Sequence, residues 1–277
     1  MISDVVESTV QSADGTSIAY DRRGEGPPVV LVGGAFQYRA IDPRTSELAD
    51  RLAQRFTVLV YDRRGRGESG GDLPFARERE IEDLAAVVDE AGGDPSVFGM
   101  SSGSALALDA ALAGVSIERL ALYEPPFIVD DRRPPLPDDF VERLTALCAD
   151  GRPGDAVEHF LTTAAMVPPE MVADMRQAPM WPGFEAVAHT LAYDAALVQD
   201  VSRGDAAALE RWAPVAVPTL VAAGSESPPH VHTAAAALAS VLARGETRIV
   251  PGQTHDVAPD ALAPVLEEFL DSEGAVR

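Results

Sequence analysis

A serine can attack a substrate only if its hydroxyl stands in the open beside a base, and Gly99-Met100-Ser101-Ser102-Gly103 offers the first of these conditions. The segment has G-x-S-x-G spacing and lies between a short apolar run, Ser96-Val97-Phe98, and a small-residue helical stretch over 104–113. At such a junction the small flanking residues permit a very tight turn that projects the central hydroxyl, here Ser101. The backbone N–H of Ser102, at the start of the helix, faces the position where an attacked carbonyl would gain negative charge. A second donor is available from Leu31-Val32-Gly33-Gly34-Ala35-Phe36, where two glycines turn the chain sharply and carry the Ala35 amide towards the serine. The same residues allow a plainer reading, with Ser102 as a helix N-cap and Gly33-Gly34 as an ordinary strand-ending turn.

Serine needs a base, and there are five histidines. His159 and His189 lie in a helical stretch where packing or exposure is the default. His230 and His232 are spaced like a metal pair, but no cysteine or further histidine lies near them, and no metal or cofactor is expected. His255, in Gly252-Gln253-Thr254-His255-Asp256, follows the last strand pattern and precedes the last helix, at the same sheet edge as Ser101. It is the base of choice. All 22 basic residues are arginine, so neither a Schiff base nor a lysine general base is possible. Tyr61 to Ser69 is punctuated by glycines but lacks the lysine of a phosphate-binding loop, and its Asp62 and arginines are expected to pair and hold loops together.

These candidates must be positioned by strands and helices that alternate along the chain. A hairpin is expected around Asp14-Gly15, then continuous apolar runs at 28–32, 57–61, 96–98, 119–123 and 217–222, and a last strand at 247–250. Helical patterns lie between them at 46–56, 81–88, 104–113, 233–242 and 259–270. The pattern implies an α/β fold, a mostly parallel sheet with helices on both faces. Residues 125–215 break the alternation: they are helical and rich in proline, and read as an inserted cap over the carboxyl edge of a core made of 1–124 and 216–277.

Composition narrows the partners. The formal net charge is −22, which repels nucleic-acid phosphates and anionic lipid surfaces, leaving a small-molecule substrate as the expected partner. The single cysteine, Cys148, permits no internal disulfide, and no signal-peptide pattern or 20-residue apolar span is present, so a cytoplasmic location is expected. Composition does not set the oligomeric state.

In order along the chain, the hairpin, the turn at Gly33-Gly34, the D-x-R-G-x-G-x-S loop from Asp62 to Ser69, the elbow at Ser101 and the His255 loop resemble the α/β-hydrolase-fold superfamily, in its serine-nucleophile branch of haloperoxidase-, esterase- and epoxide-hydrolase-like proteins with a helical cap. Two features depart from that pattern. Many relatives have His-Gly where this chain has Gly33-Gly34. Relatives also commonly carry the triad acid in a G-x-x-D pattern after the seventh strand, whereas Gly224-Ser225-Glu226-Ser227 places serine there. Glu124, just past the sixth strand, is the preferred replacement acid, as in some members of the fold; Glu226 is the alternative, and Asp256 is expected to point away. The resemblance implies a triad of Ser101, His255 and Glu124, with Ala35 and Ser102 as oxyanion donors. The implied reaction is hydrolysis of an ester, lactone or thioester through an acyl-enzyme. A non-hydrolytic member of the fold (lyase, cyclase, oxygenase, perhydrolase or receptor) is the other class. Phe36, Phe127, Met166, Met180, Trp181 and Phe184 are candidates for an apolar substrate pocket.

Overall fold

Runs of β-branched and leucine residues form the centre of one eight-stranded sheet in the computed structural model, which describes residues 5–71 and 75–271. The hairpin β1 (Val6–Gln11) and β2 (Ser17–Arg23) joins it antiparallel, with β2 against β4 (Thr57–Tyr61). From there the strands run parallel: β3 (Pro28–Val32), β5 (Ser96–Met100), β6 (Leu120–Tyr123), β7 (Thr219–Gly224) and β8 (Gly245–Val250). The spatial order is β1-β2-β4-β3-β5-β6-β7-β8.

Period-2 alternation divides each central strand between two cores. Val29, Leu31, Val58 and Val60 pack under α1 (Pro43–Leu52) and α10 (Pro259–Leu270), against Leu48, Leu52, Leu262 and Leu266. Val30, Val32, Leu59 and Val97 face α2 (Arg77–Ala91), α3 (Ser102–Leu112) and α9 (Pro229–Val241). Helix α1 starts earlier than the apolar pattern alone indicates. The Asp42 side chain accepts from the Thr45 N–H at 3.1 Å and Pro43 occupies the first turn, a start signal that apolar spacing does not register.

Residues 125–215 contain no strand among those described. They form α4 (Phe140–Ala149), α5 (Pro153–Thr163), α6 (Pro169–Met175), α7 (Trp181–Ala186) and α8 (Leu191–Val198), with short 3-10 turns, and their buried residues join the second core. Among the described residues no helix is long and apolar enough to cross a membrane.

Gly103 lets α3 start hard against β3. A Cβ there would lie 2.4 Å from the Val32 carbonyl oxygen and 2.8 Å from that of Gly33. Gly103→Ala should therefore lower the midpoint of denaturant unfolding by the equivalent of about 1–3 kcal/mol. An unchanged midpoint would show that helix and strand can separate without cost.

Candidate active site

The turn from β5 into α3 places Ser101 at φ 53° and ψ −124°, a left-handed conformation that costs a non-glycine residue about 1–3 kcal/mol. Two backbone bonds hold it: the Ser101 N–H donates to the Tyr123 carbonyl and the Ser104 N–H to the Ser101 carbonyl, both at 2.9 Å. Gly99 is needed as well, since a Cβ there would fall 2.8 Å from the Gly103 carbonyl oxygen. The half-buried Ser101 side chain stands beside Gly34, whose added Cβ would be 2.8 Å from that of Ser101.

Glu124 follows β6 directly, at φ 47°, and is 2% exposed. Its Oε2 pairs with His255 Nδ1 at 2.9 Å. Its Oε1 accepts from the Gly224 N–H at 2.9 Å and from the Ser227 hydroxyl at 2.5 Å. Ser227 thus bonds a carboxylate delivered from the neighbouring strand. Burial alone would raise the Glu124 pKa. Hydrogen bonds from His255, Ser227 and the Gly224 amide outweigh it and hold the group below the ordinary carboxylate range. The histidine loop has its own anchor, because the buried Tyr123 hydroxyl donates to the Thr254 carbonyl at 2.7 Å. The His255 ring is mostly exposed, and among the described residues no hydrogen bond joins it to the Ser101 hydroxyl.

The Gly33-Gly34 turn rests on buried charge. Arg63 Nη1 donates to the Gly33 carbonyl at 3.3 Å and Arg66 Nη1 to the Gly34 carbonyl at 2.6 Å. The Gly34 N–H donates to Gln37 Oε1 at 2.6 Å. Both arginines meet Asp194 from α8, at 2.6 Å and 2.5 Å, and Arg63 also forms a two-bond pair with Glu80. Asp194 is 1% exposed and accepts from the Ser102 hydroxyl at 2.7 Å. Burial works to raise the Asp194 pKa, and Arg66 and Arg63 more than offset it, keeping the group low. The amides of Ala35 and Ser102 are not engaged by other groups among the described residues, so both remain available as donors.

The expected ion pairs therefore form with different partners. Asp62 takes Arg39 and the Glu68 amide, whereas Arg63 and Arg66 reach Asp194, a residue not singled out from the sequence. The only sequence signal for it is a carboxylate inside an otherwise apolar helix, Leu191–Val198. Glu226 is exposed, and its carboxylate accepts from the neighbouring Ser225 hydroxyl; Asp256 turns outward to Arg44. His232 Nε2 lies 2.7 Å from the Gly224 carbonyl, and His189 sits beside Gly65.

The apolar candidates divide. Phe36, in a left-handed conformation after Ala35, meets Phe184 at 4.7 Å and Phe160 at 5.5 Å between ring centres. Met166 and Met180 are exposed. Trp181 is buried, with its indole N–H on Glu185. Phe127 is 2% exposed and stacks on Trp212 at 5.0 Å between ring centres.

Residues 29–268 match the model of a family described as the alpha/beta hydrolase family. A solved alpha/beta hydrolase from Sphaerobacter thermophilus is 55% identical, with a TM-score of 0.85 over 95% of this chain and all of that one. A hydrolase from Pseudomonas aeruginosa is 25% identical (TM-score 0.72, 96% of this chain and 98% of that one). A thermophilic esterase from Thermogutta terrifontis, at 24% identity and a TM-score of 0.67 over 96% and 98% of the two chains, shares the fold.

The environment of Glu124 sets a pH dependence. Its folded pKa lies below its unfolded one, so its stabilisation is complete above the ordinary carboxylate range and is lost as pH falls through the lowered value. The stability difference between wild type and Glu124→Gln, from urea unfolding at a series of pH values, should shrink progressively as pH falls below about 5. A difference independent of pH would mean that Glu124 is not held ionised by these bonds.

Proposed function

Because the chain belongs to the alpha/beta hydrolase family, we propose that it is a serine hydrolase that cleaves an ester, lactone or thioester of a small, largely apolar substrate. The observation that carries this reading is the 2.9 Å bond between His255 Nδ1 and buried Glu124, at the sheet edge where the elbow holds Ser101. With Nδ1–H donated to the carboxylate, Nε2 is left as the basic nitrogen, the tautomer a general base requires.

In this reading the imidazole moves onto the Ser101 hydroxyl as substrate enters, a contact that tightens on ligand binding. Nε2 takes the hydroxyl proton while Oγ bonds to the acyl carbon, and the Ala35 and Ser102 amides receive the oxyanion. The imidazolium returns the proton to the leaving oxygen or sulfur as that bond breaks. Water then attacks the acyl-enzyme, giving one proton to His255 and its oxygen to the acid product, and Ser101 regains its hydrogen. Serine at the elbow, where epoxide or haloalkane chemistry needs a carboxylate, favours acyl transfer. Phe36, Phe160 and Phe184 offer an aromatic wall next to the oxyanion loop, and residues 125–215 serve as the cap that sets substrate choice.

A fluorophosphonate probe should label the wild type and not Ser101→Ala, and 4-nitrophenyl ester turnover should vanish with the same substitution. Glu124→Gln should lower kcat by about 10³- to 10⁴-fold, as loss of a tautomer-fixing carboxylate does. Because the Ser227 hydroxyl already touches Glu124, Glu124→Gln with Ser227→Asp should regain part of that loss. Absence of labelling and of Ser101-dependent turnover would favour a lyase or receptor of the same fold.

A further inference from the structure

Most buried or half-buried arginines here have a carboxylate against them: Arg23 has Asp21, Arg63 has Glu80 and Asp194, Arg64 has Asp83, and Arg66 has Asp194. Arg133 does not. Its Nη2 donates to the Thr163 and Ala164 carbonyls at the end of α5, at 3.4 and 3.1 Å, and its Nε is buried without a partner. Nη1 makes no bond among the described residues and is not sealed from solvent. Asp130, three residues back, is occupied by the side chain and amide of Arg132. Burial pushes the Arg133 pKa below its ordinary value, as it does at Arg66.

The position of this charge gives it meaning. Arg132 Nη1 donates to Thr233 Oγ1 at 2.7 Å, which fixes the segment against the first turns of α9. That helix begins directly after Ser227, the hydroxyl that supports Glu124. On the other side, α5 carries Phe160, whose ring meets Phe36 of the oxyanion loop. His230, in the first turn of α9, lies within electrostatic reach of both Arg133 and Glu124. Arg133 therefore stands between two elements that border the Ser101–His255–Glu124 cluster, with one guanidinium edge anchored on helix carbonyls and the other free. The end of α5 supplies partial negative charge only, less than a buried cation needs.

We propose that Arg133 anchors a carboxylate carried by the substrate, so that the protein prefers esters bearing an acid group over their neutral counterparts. The assignment rests on the hydrolase reading above and narrows its substrate class. The ligand is then amphipathic, with the aromatic wall of Phe36, Phe160 and Phe184 taking its apolar part and Arg133 its charged end.

Two ester pairs test this: 4-nitrophenyl hydrogen glutarate against 4-nitrophenyl pentanoate, and 4-acetoxybenzoate against phenyl acetate. They place the acid on the acyl side and on the leaving-group side respectively. In at least one pair kcat/KM should favour the anion by about 10- to 100-fold, the range expected of a charge-assisted hydrogen bond. In Arg133→Gln, which keeps an amide donor for the α5 carbonyls, that ratio should fall to near one, and Arg133→Lys should restore part of it. A ratio near one in the wild type for both pairs, or a ratio preserved in Arg133→Gln, would overturn the proposal. A second measurement needs neither a variant nor turnover. By calorimetry, glutarate and benzoate should bind the wild type at least tenfold more tightly than glutaramide and benzamide. Equal binding of acids and amides, or no binding of either acid, refutes the anion site even if esters are cleaved. Preferential binding of the acids without any ester turnover would refute the hydrolase reading and leave the anion site standing.

Discussion

Two buried guanidinium groups beneath the Gly33-Gly34 turn fix the arrangement on which the rest of the site depends. Arg63 and Arg66 each hold a carbonyl of the Gly33-Gly34 turn, and both converge on Asp194 of α8, which also accepts from Ser102. Glu80 completes the charge balance on Arg63. Removing one partner from such a cluster leaves an uncompensated charge away from water, a cost of about 3–5 kcal/mol. Helix α8 therefore cannot shift relative to the sheet without breaking the bonds of Asp194 to Arg63, Arg66 and Ser102. The loop in turn is held by its carbonyls, and its Ala35 amide makes no hydrogen bond among the described residues. Where relatives have a histidine in the turn, this chain braces the same backbone with arginines and the Gln37 side chain.

The acid illustrates how one geometry can be reached from two strands. β6 and β7 are hydrogen-bonded neighbours, with Tyr123 opposite Ala222, so their ends lie within about 5 Å. A carboxylate from either can reach the same imidazole nitrogen if side-chain length makes up the difference. Glutamate, one methylene longer than aspartate, does so from β6, aided by the left-handed backbone at residue 124. The vacated position is not idle. Ser227 and the Gly224 amide supply two of the three donors that hold Glu124 below the ordinary carboxylate range. Tyr123 couples strand and loop further, since its carbonyl receives the Ser101 amide and its hydroxyl holds Thr254 next to His255.

What the sequence disclosed follows from the range of the interactions involved. The central strands were readable because burial on both faces demands continuous apolar runs, as in Val29–Leu31 and Leu120–Tyr123. The elbow and the His255 loop were readable because each sits at a strand end marked by glycine. Glu124 stood out as a charge directly after an apolar strand. Asp194 and Ser227 did not, because their partners lie 128 and 103 positions away and nothing local requires those residue types. The start of α1 was missed for a different reason: Asp42 and Pro43 carry a capping signal, and apolar spacing alone places the helix later. The stacking of Phe127 on Trp212 was equally hidden, because the two rings are far apart along the chain.

Overall charge and local charge act at different ranges. A net charge of −22 gives the molecule a field that repels anions at a distance, and that field is screened beyond about 10 Å at 0.1 M salt. Selection for an acid group must then come from contact, in a desolvated corner where a guanidinium has no competing carboxylate. Arg23, Arg63, Arg64 and Arg66 each meet Asp or Glu, and a satisfied pair is close to neutral and contributes little potential of its own. In the proposed reading the carboxylate of the ligand supplies the counter-charge that Arg133 does not receive from a neighbouring Asp or Glu.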